Sequence, residues 1–496
     1  MRQGPLAGRY PAVATMVMAA LIPYLALSAA VGPVTPIIAR DLHTSLQTLA
    51  LGAGLANAAY AVGTVLAVQF AQHLPQRRMM VLYAVVLVIG SIVTASAQNV
   101  VMYSTGQILA GLCTSLLLIA AVPPLSLGFP ASKLRITGMI MNMCIFGAVA
   151  LGPTIGGLQA EADAWRPLFW AVSAIAVLAL ILALLTFEDA PPADPDSPRD
   201  LPALGLATVG CVAAFFGSSQ LLTHSFLSPI TILPLLGGLL AIIVLVVYQY
   251  RAKDPLLTIR EMLGSTIPIA GIIVALFAAA ASVSATVLTA DVLSQHYSAL
   301  HVGLLYLPEV GGALITAVLL GLVLDKVYLH YLPLVGMGFL AAGIGVFLIE
   351  VPASQPLALV ASFLTGIGLG ATVAPALFVA GFSLRALSLQ RVFAIVELFR
   401  AVAAFMVAPI FVHFAASVSD DLAHGVRIAL WIGLGLAVVG AALAVATYVV
   451  GGARPQAPDI EGFVAGRKAA WPSPPLFARL RRHVPPPPQT VTEGAD

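Results

Sequence analysis

The chain has 496 residues, 60% of them apolar and only 9% charged, with a mean hydropathy of +1.01. Soluble domains carry roughly 25% charged residues, so a water-soluble globule is excluded: there is too little polar surface to cover such a core. The 23 basic and 21 acidic residues leave a net charge of +2. That balance excludes a nucleic-acid binder, which needs a basic face. Cys113, Cys144 and Cys211 sit in apolar runs, without zinc or disulfide spacing.

A helix needs about 20 mostly apolar residues to cross a bilayer. In chain order, such stretches cover residues 12–34, 46–70, 80–97, 101–122, 136–158 and 167–187, then 203–222 and 230–248. Six more follow at 267–292, 302–323, 332–349, 357–378, 392–414 and 428–450. They are too long and too uniformly apolar for barrel strands, which alternate over about 10 residues. The first stretch follows Arg2 and Arg9, but it is too long for a signal-peptide core and a second span comes directly after it.

The charges test the count independently. With the first residue inside and the sides alternating, nineteen of the 23 basic residues fall inside. Arg40, Arg166 and Arg427 fall outside, and Arg400 lies within a span. Basic residues favour cytoplasmic loops, and one miscounted span would invert every side downstream. The expectation is therefore an all-α integral membrane protein of 14 spans with both termini cytoplasmic.

Punctuation divides these spans. Residues 188–202 hold Glu188, Asp189, Asp194, Asp196 and Asp200 among five prolines, with Arg199, and read as an extended, solvated linker. Residues 251–265, with Arg260 and Glu261, read as a short interfacial helix. These segments bracket spans seven and eight. The expected organisation is an N-terminal six-helix bundle (1–187), a linker with two inserted transmembrane helices (188–265), a C-terminal six-helix bundle (266–450) and a disordered, cytoplasmic, Pro-rich tail (451–496). Two bundles about a central pathway is a plan of transporters built from repeats. Local sequence repeats it too: His73…Arg77-Arg78 follows span two, and Gly321-x-x-x-Asp325-Lys326 follows span ten.

Four pieces carry a family resemblance. Span five reads Gly147-Ala-Val-Ala-Leu-Gly152-Pro153-Thr154-Ile155-Gly156-Gly157, followed by Trp165-Arg166-x-x-Phe169. Pro36-Ile-Ile-Ala-Arg-Asp41-Leu42 ends the first span, Gly321-x-x-x-Asp325-Lys326 follows the tenth, and Ser298 to Pro308 opens the tenth. Together they resemble the major facilitator superfamily in its fourteen-helix drug:proton antiporter branch, whose antiporter signature is GPxxGG. The resemblance implies a major-facilitator-type fold of two six-helix bundles, and proton-coupled efflux of drug-like molecules. It also implies that the Gly321–Asp325–Lys326 signature stabilises one conformation by linking neighbouring helices; the plain alternative is a solvated loop pair. The sequence departs from the branch at three places. Leu27 stands where an Asp is usual and Gln107 where an Arg is usual, while Val68, Gln72 and Pro75 replace the Gly, Asp and second Gly of the first cytoplasmic loop.

Small residues in a membrane let helix backbones approach, and proline removes a helix hydrogen bond. Gly147, Gly152, Pro153, Gly156 and Gly157 are thus either simple close packing or a tight, kinked seam between the bundles. A charge near the bilayer centre costs about 2.5–3.5 kcal/mol on insertion scales, so it tends to face a cavity or a partner. Glu309 lies about two turns into span ten and is either hydrated at the outer interface or a cavity carboxylate that binds a proton or a cation. Asp291, near the outer end of span nine, is interfacial or functional. Glu397 and Arg400, three apart and on one helix face, either neutralise each other or break and reform as the bundles rock. Gln107 contacts substrate or bridges helices.

The scattered histidines offer no metal site, and no phosphate-binding glycine loop ending in Lys-Ser/Thr appears. No cofactor and no enzymatic triad is expected. The reading is a monomeric, multi-pass secondary active transporter of the inner (plasma) membrane. Its partners are a small amphipathic substrate, protons and the lipid bilayer. The alternatives are a proton-independent facilitator or uptake permease, favoured by Leu27 and Gln107, and a transport-inactive membrane sensor, suggested by the Pro-rich tail.

Overall fold

The computed structural model describes residues 4–187, 192, 194–195 and 197–478. Among them, fourteen helices are long and apolar enough to cross a membrane. They are α1 (Tyr10–Asp41), α2 (Leu46–His73), α3 (Gln76–Ala95), α4 (Val100–Ser126), α5 (Ala131–Glu161), α6 (Arg166–Thr186), α7 (Leu201–Leu222) and α8 (Pro229–Arg251). The rest are α9 (Thr266–Ser294), α10 (Ala299–Val323), α11 (Leu332–Ile349), α12 (Gln355–Phe382), α13 (Ala386–Val418) and α14 (Leu422–Gly451). Tyr10 and Gly451 lie on the same side, cytoplasmic by the distribution of Lys and Arg.

Helix starts follow local chemistry. The side chains of Ser45, Asn99 and Asp421 accept from the backbone N–H of Thr48, Met102 and Ala423. Each satisfies a donor that a first helical turn leaves open. Proline occupies the first turn of α1, α6, α8, α11 and α12, where its missing N–H is not needed. Two spans are interrupted. α5 contains a π-helical turn at Met143–Gly147, and α10 breaks between Ala299–Leu305 and Leu307–Val323. Pro308, which cannot donate to the preceding turn, accounts for the second break.

Packing repeats with an offset of eight helices. In the first half α1 packs on α5 and α6, α4 on α2 and α3, and α3 on α6. In the second, α9 packs on α13 and α14, α12 on α10 and α11, and α11 on α14. The halves meet along two seams, α2–α13 and α5–α10, which exchange under the same offset. The fold is thus two six-helix bundles related by a pseudo-twofold, with α7 and α8 added.

The added pair is not a free spacer. Gly217 lets α7 and α8 approach so closely that a Cβ there would sit 2.5 Å from the Leu235 nitrogen. α7 lies along α2 and also touches α13. At its outer end Gln47 Nε2 donates to Gln220 Oε1 at 3.0 Å, and His413 Nδ1 donates to the Leu221 carbonyl at 2.8 Å. At the cytoplasmic end Asp200 caps α7 and accepts from Gln249 Nε2 at 2.6 Å, while its N–H donates to Gln69 Oε1 at 2.9 Å. Asp194 N–H donates to the Gln72 carbonyl at 3.1 Å. The linker expected to be solvated is therefore tethered to α2 where it is described; residues 188–191, 193 and 196 lie outside the described residues. The expected interfacial helix is Ile259–Leu263.

The tail expected to be disordered from residue 451 is instead docked over residues 453–478. Gly452, at φ 69°, ends α14 in the left-handed region. Asp459 then caps a short helix, Ile460–Val464. The Ala470 N–H donates to the Phe382 carbonyl at 2.8 Å, and the Thr266 N–H to the Pro474 carbonyl at 2.9 Å. Phe463 and Trp471 are buried against Phe382 at the cytoplasmic end of α12, with ring centroids 5.0 and 5.8 Å away. A docked aromatic anchor overrides what proline content suggests. His330 lies 4.3 Å, ring to ring, from Trp471. Burial pushes its imidazole down to about 4, partly offset by a bond with the Gln456 backbone. A hydrogen bond from Lys468 holds the exposed Asp459 carboxyl below its ordinary range. Prolines 485–488 lie outside the described residues.

Candidate functional site

Halfway along α2, in a run of small apolar residues, stands Tyr60. Across the seam α13 presents Glu397 and Arg400 one turn apart. Their exposures are 1% for Tyr60, 1% for Glu397 and 8% for Arg400. Arg400 grips the carboxylate with two donors, Nε to Oε2 at 2.8 Å and Nη2 to Oε1 at 2.5 Å. The Tyr60 hydroxyl donates to Glu397 Oε1 at 2.7 Å and lies 3.5 Å from Arg400 Nη2. The Tyr24 ring stacks on Tyr60 at 6.5 Å, and Phe405 meets it edge-on at 6.0 Å. A bidentate pair with a third donor satisfies most of what burial takes from the two charges, whereas removing one partner of a buried pair typically costs about 3–5 kcal/mol.

Glu309 is 5% exposed, in the first turn after the break in α10. Its side chain makes no hydrogen bond or ion pair among the described residues. Gly366 of α12 backs it so closely that a Cβ there would meet the Glu309 backbone. Asp291 is exposed near the outer end of α9. Gln107 donates to the Tyr103 hydroxyl one turn away on α4, at 3.4 Å. Tyr103 in turn packs edge-on against Trp165 and Phe169. Of the five candidates Glu309, Asp291, Gln107, Glu397 and Arg400, only Glu397 and Arg400 meet.

The glycines of α5 divide between neighbours. Gly152 and Gly156 face Ala26, Ala29 and Ala30 of α1, within the first half, and Gly147 faces its own Met143. Gly157 alone of the signature glycines reaches the second half: a Cβ there would lie 2.5 Å from the Ala299 carbonyl oxygen. Opposite it, Gly303 of α10 abuts Pro153, whose carbonyl oxygen would be 2.5 Å from an added Cβ. The Thr154 hydroxyl donates to the Gly303 carbonyl at 2.8 Å. At the cytoplasmic end of this seam Gly321 meets Met139, and Asp325 pairs with Arg135 of α5, joining the two halves. Lys326 is exposed.

Outside, the residues of the Arg40-Asp41 and Trp165-Arg166 pieces form one cluster. Asp41 accepts from Arg40 at 3.0 Å and from Trp165 Nε1 at 3.0 Å, and Arg166 lies over the Trp165 ring at 4.4 Å. It ties α1 to α6. Sequence reasoning missed Tyr60, Tyr24 and Arg135. The only signal for Tyr60 was a phenol in the middle of an Ala- and Gly-rich span.

Comparison with known proteins agrees with this architecture. The model of the family described as Major Facilitator Superfamily matches residues 16–408. The uncharacterized MFS-type transporter YubD of Bacillus subtilis is 25% identical over 324 residues, covering 63% of this chain and 61% of that protein. The drug efflux pump JefA of Mycobacterium tuberculosis is 24% identical over 422 residues, covering 79% of this chain and 80% of that one. The chain spans about three fifths of the length of YubD, and about half that of further curated relatives. Among solved structures, the proton:xylose symporter XylE shares the fold with a TM-score of 0.60 at 13% identity, over 88% of this chain and 94% of that one. With its two pseudo-symmetric six-helix bundles, the chain belongs to the Major Facilitator Superfamily.

Proposed function

We propose that the protein is a secondary transporter of the inner (plasma) membrane that exports small amphipathic, drug-like molecules in exchange for protons. The two bundles rock about their seams and open alternately to either side. The observation that carries this reading is Glu309, a carboxyl buried within a span and bonded to no other side chain among the described residues. A lone carboxyl in an apolar site is costly as an anion and stable as an acid, so it can take up and give back a proton. A predominantly apolar interior suits substrates held by burial rather than by strict hydrogen-bond readout. The drug efflux pump among the relatives supports the direction and substrate class.

The test is a panel of amphipathic dyes and drugs on protein in liposomes, with and without an imposed pH gradient. The gradient is expected to drive accumulation, and Glu309→Gln is expected to abolish that drive. If Glu309→Gln behaves like the parent across the whole pH range, Glu309 is not the coupling group. A second reading, proton-independent facilitation, is favoured by the neutral Leu27 and Gln107; it is the outcome if collapsing the gradient leaves the parent's rate unchanged.

A further inference from the structure

We propose that the docked strap, residues 453–478, is an autoinhibitory clasp: a piece of the chain's own tail that joins the cytoplasmic ends of the two bundles and must give up its hold on α5 for that side to open. The proposal rests on the rocking of the bundles read above and adds a device that restrains it.

The strap is fastened to the C-terminal bundle through helix ends. Ser265 gives α9 no side-chain cap, so the N–H groups of its first turn need partners from elsewhere. The strap supplies them. The Thr266 N–H donates to the Pro474 carbonyl at 2.9 Å, and the Ile267 N–H to Ser473 Oγ at 3.0 Å. The Leu476 N–H returns a bond to the Gly264 carbonyl at 3.2 Å. Phe382 is the last residue of α12, and its carbonyl accepts from the Ala470 N–H at 2.8 Å. The Phe463 and Trp471 rings pack on the Phe382 ring. Pro455, Pro458, Pro472, Pro474 and Pro475 restrict the free strap, which lowers the entropy lost when it docks.

The same strap reaches the other bundle. Its short helix, Ile460–Val464, lies against the turn Ala131–Lys133 that opens α5. That turn belongs to the N-terminal bundle: Lys133 Nζ sits over the Tyr10 ring of α1 at 5.7 Å, and the Tyr10 hydroxyl is 3.1 Å from Thr137 Oγ1 of α5. Further along α5, Arg135 pairs with Asp325, and a Cβ added to Gly138 would lie 3.2 Å from Leu324 Cδ1. The cytoplasmic ends of α5 and α10 are therefore together, and the strap spans the two bundles from α12 to α5.

A contact made in one arrangement and lost in the other favours the first, whatever its chemistry. When the start of α5 moves off α10 and α12, a strap held by hydrogen bonds to α9 and α12 cannot follow both bundles. Opening the cytoplasmic side then gives up the packing of Ile460–Val464 on α5. With the strap undocked, the closed arrangement has no such contact to lose, and the balance shifts toward opening. The tail thus sets how readily the cytoplasmic side opens without touching the transport pathway.

The experiment reads the cytoplasmic spacing of full-length protein in lipid nanodiscs, with no substrate. Cys113, Cys144 and Cys211 are replaced by Ala. Nitroxide labels go on cysteines replacing the exposed Arg78, at the start of α3, and Leu387, between α12 and α13. Phe463→Ala combined with Trp471→Ala undocks the strap, which faster amide exchange at Thr266 and Ile267 verifies. The population with separated cytoplasmic ends is expected to rise severalfold over the parent's. A stop after Gly452 removes the strap outright and is expected to match the double variant. Trp471→Phe, which keeps a ring on Phe382, and Phe477→Ala, which removes an exposed ring, are expected to follow the parent. If the strap is undocked or deleted and the distances stay the parent's, the inference is overturned, and the strap is only a cap on α9 and α12. Transport by the parent in liposomes is judged separately. Parent transport beside unchanged distances removes the clasp alone, while a parent that moves no solute removes the rocking on which the clasp rests.

Discussion

The two seams between the bundles are symmetry mates built from opposite materials. α5 meets α10 through glycines and backbone, with Gly157 against Ala299 and Gly303 against Pro153. α2 meets α13 through a phenol and an ion pair. A glycine seam fixes distance, because what it removes is side-chain volume. A polar seam fixes orientation, because hydrogen bonds are directional. A pseudo-twofold therefore does not make the two contacts equivalent: one is a bearing surface of glycine and backbone, the other a set of directional side-chain bonds.

The comparison is broken most severely at the bearing surface. Gly303→Val puts side-chain atoms into the Pro153 backbone, and overpacking of this kind costs about 1–3 kcal/mol. Transport in liposomes is expected to fall about tenfold or more, since each ~1.4 kcal/mol is a factor of ten. Gly338→Val, where an added Cβ meets nothing within 4 Å, is expected to leave it unchanged. Equal loss in both variants would mean that glycine content, not the seam, is what matters.

A smaller effect separates the seams from the cytoplasmic strap formed by residues 453–478. With the strap docked, burial holds the His330 imidazole at about 4, below its ordinary 6.5, and undocking moves it back toward that value. Below 6.5 the free state gains a proton that the docked state refuses. To the extent that Trp471 and the strap supply that burial, docking is at full strength above 6.5 and weakens as pH falls toward 4. Amide hydrogen exchange across residues 459–476 is expected to quicken in that range, and His330→Phe to flatten the response. The mildest change is Thr154→Val, which removes one hydrogen bond across the glycine seam, worth about 1 kcal/mol. A several-fold slowing of transport without loss of folded protein is the expected outcome.

Much of the fold was legible because the bilayer demands long apolar runs and sorts basic residues by side. The number of spans follows from that, while the break before Pro308 does not. The site was legible only along the helix: Glu397 and Arg400 share a face because they are one turn apart. Their third partner stands 337 residues earlier in the chain, a pairing that no local pattern encodes. The signature glycines illustrate the same limit. Their identity announces close approach, but whether Gly156 faces α1 or Gly157 faces α10 depends on a rotation of about 100° between consecutive positions, and that is set by tertiary packing. The docked strap was hidden for a different reason: proline content describes the connecting chain, while the energy lies in Phe463 and Trp471.

The added helices make the two flanks of the molecule unequal. α7 roofs the α2–α13 seam from the lipid, clasped at its outer rim by Gln47 and His413. No described helix roofs the α5–α10 seam in the same way. The outer flank of one seam is therefore covered by an added helix and that of the other is not, an asymmetry that the near-symmetric core does not carry.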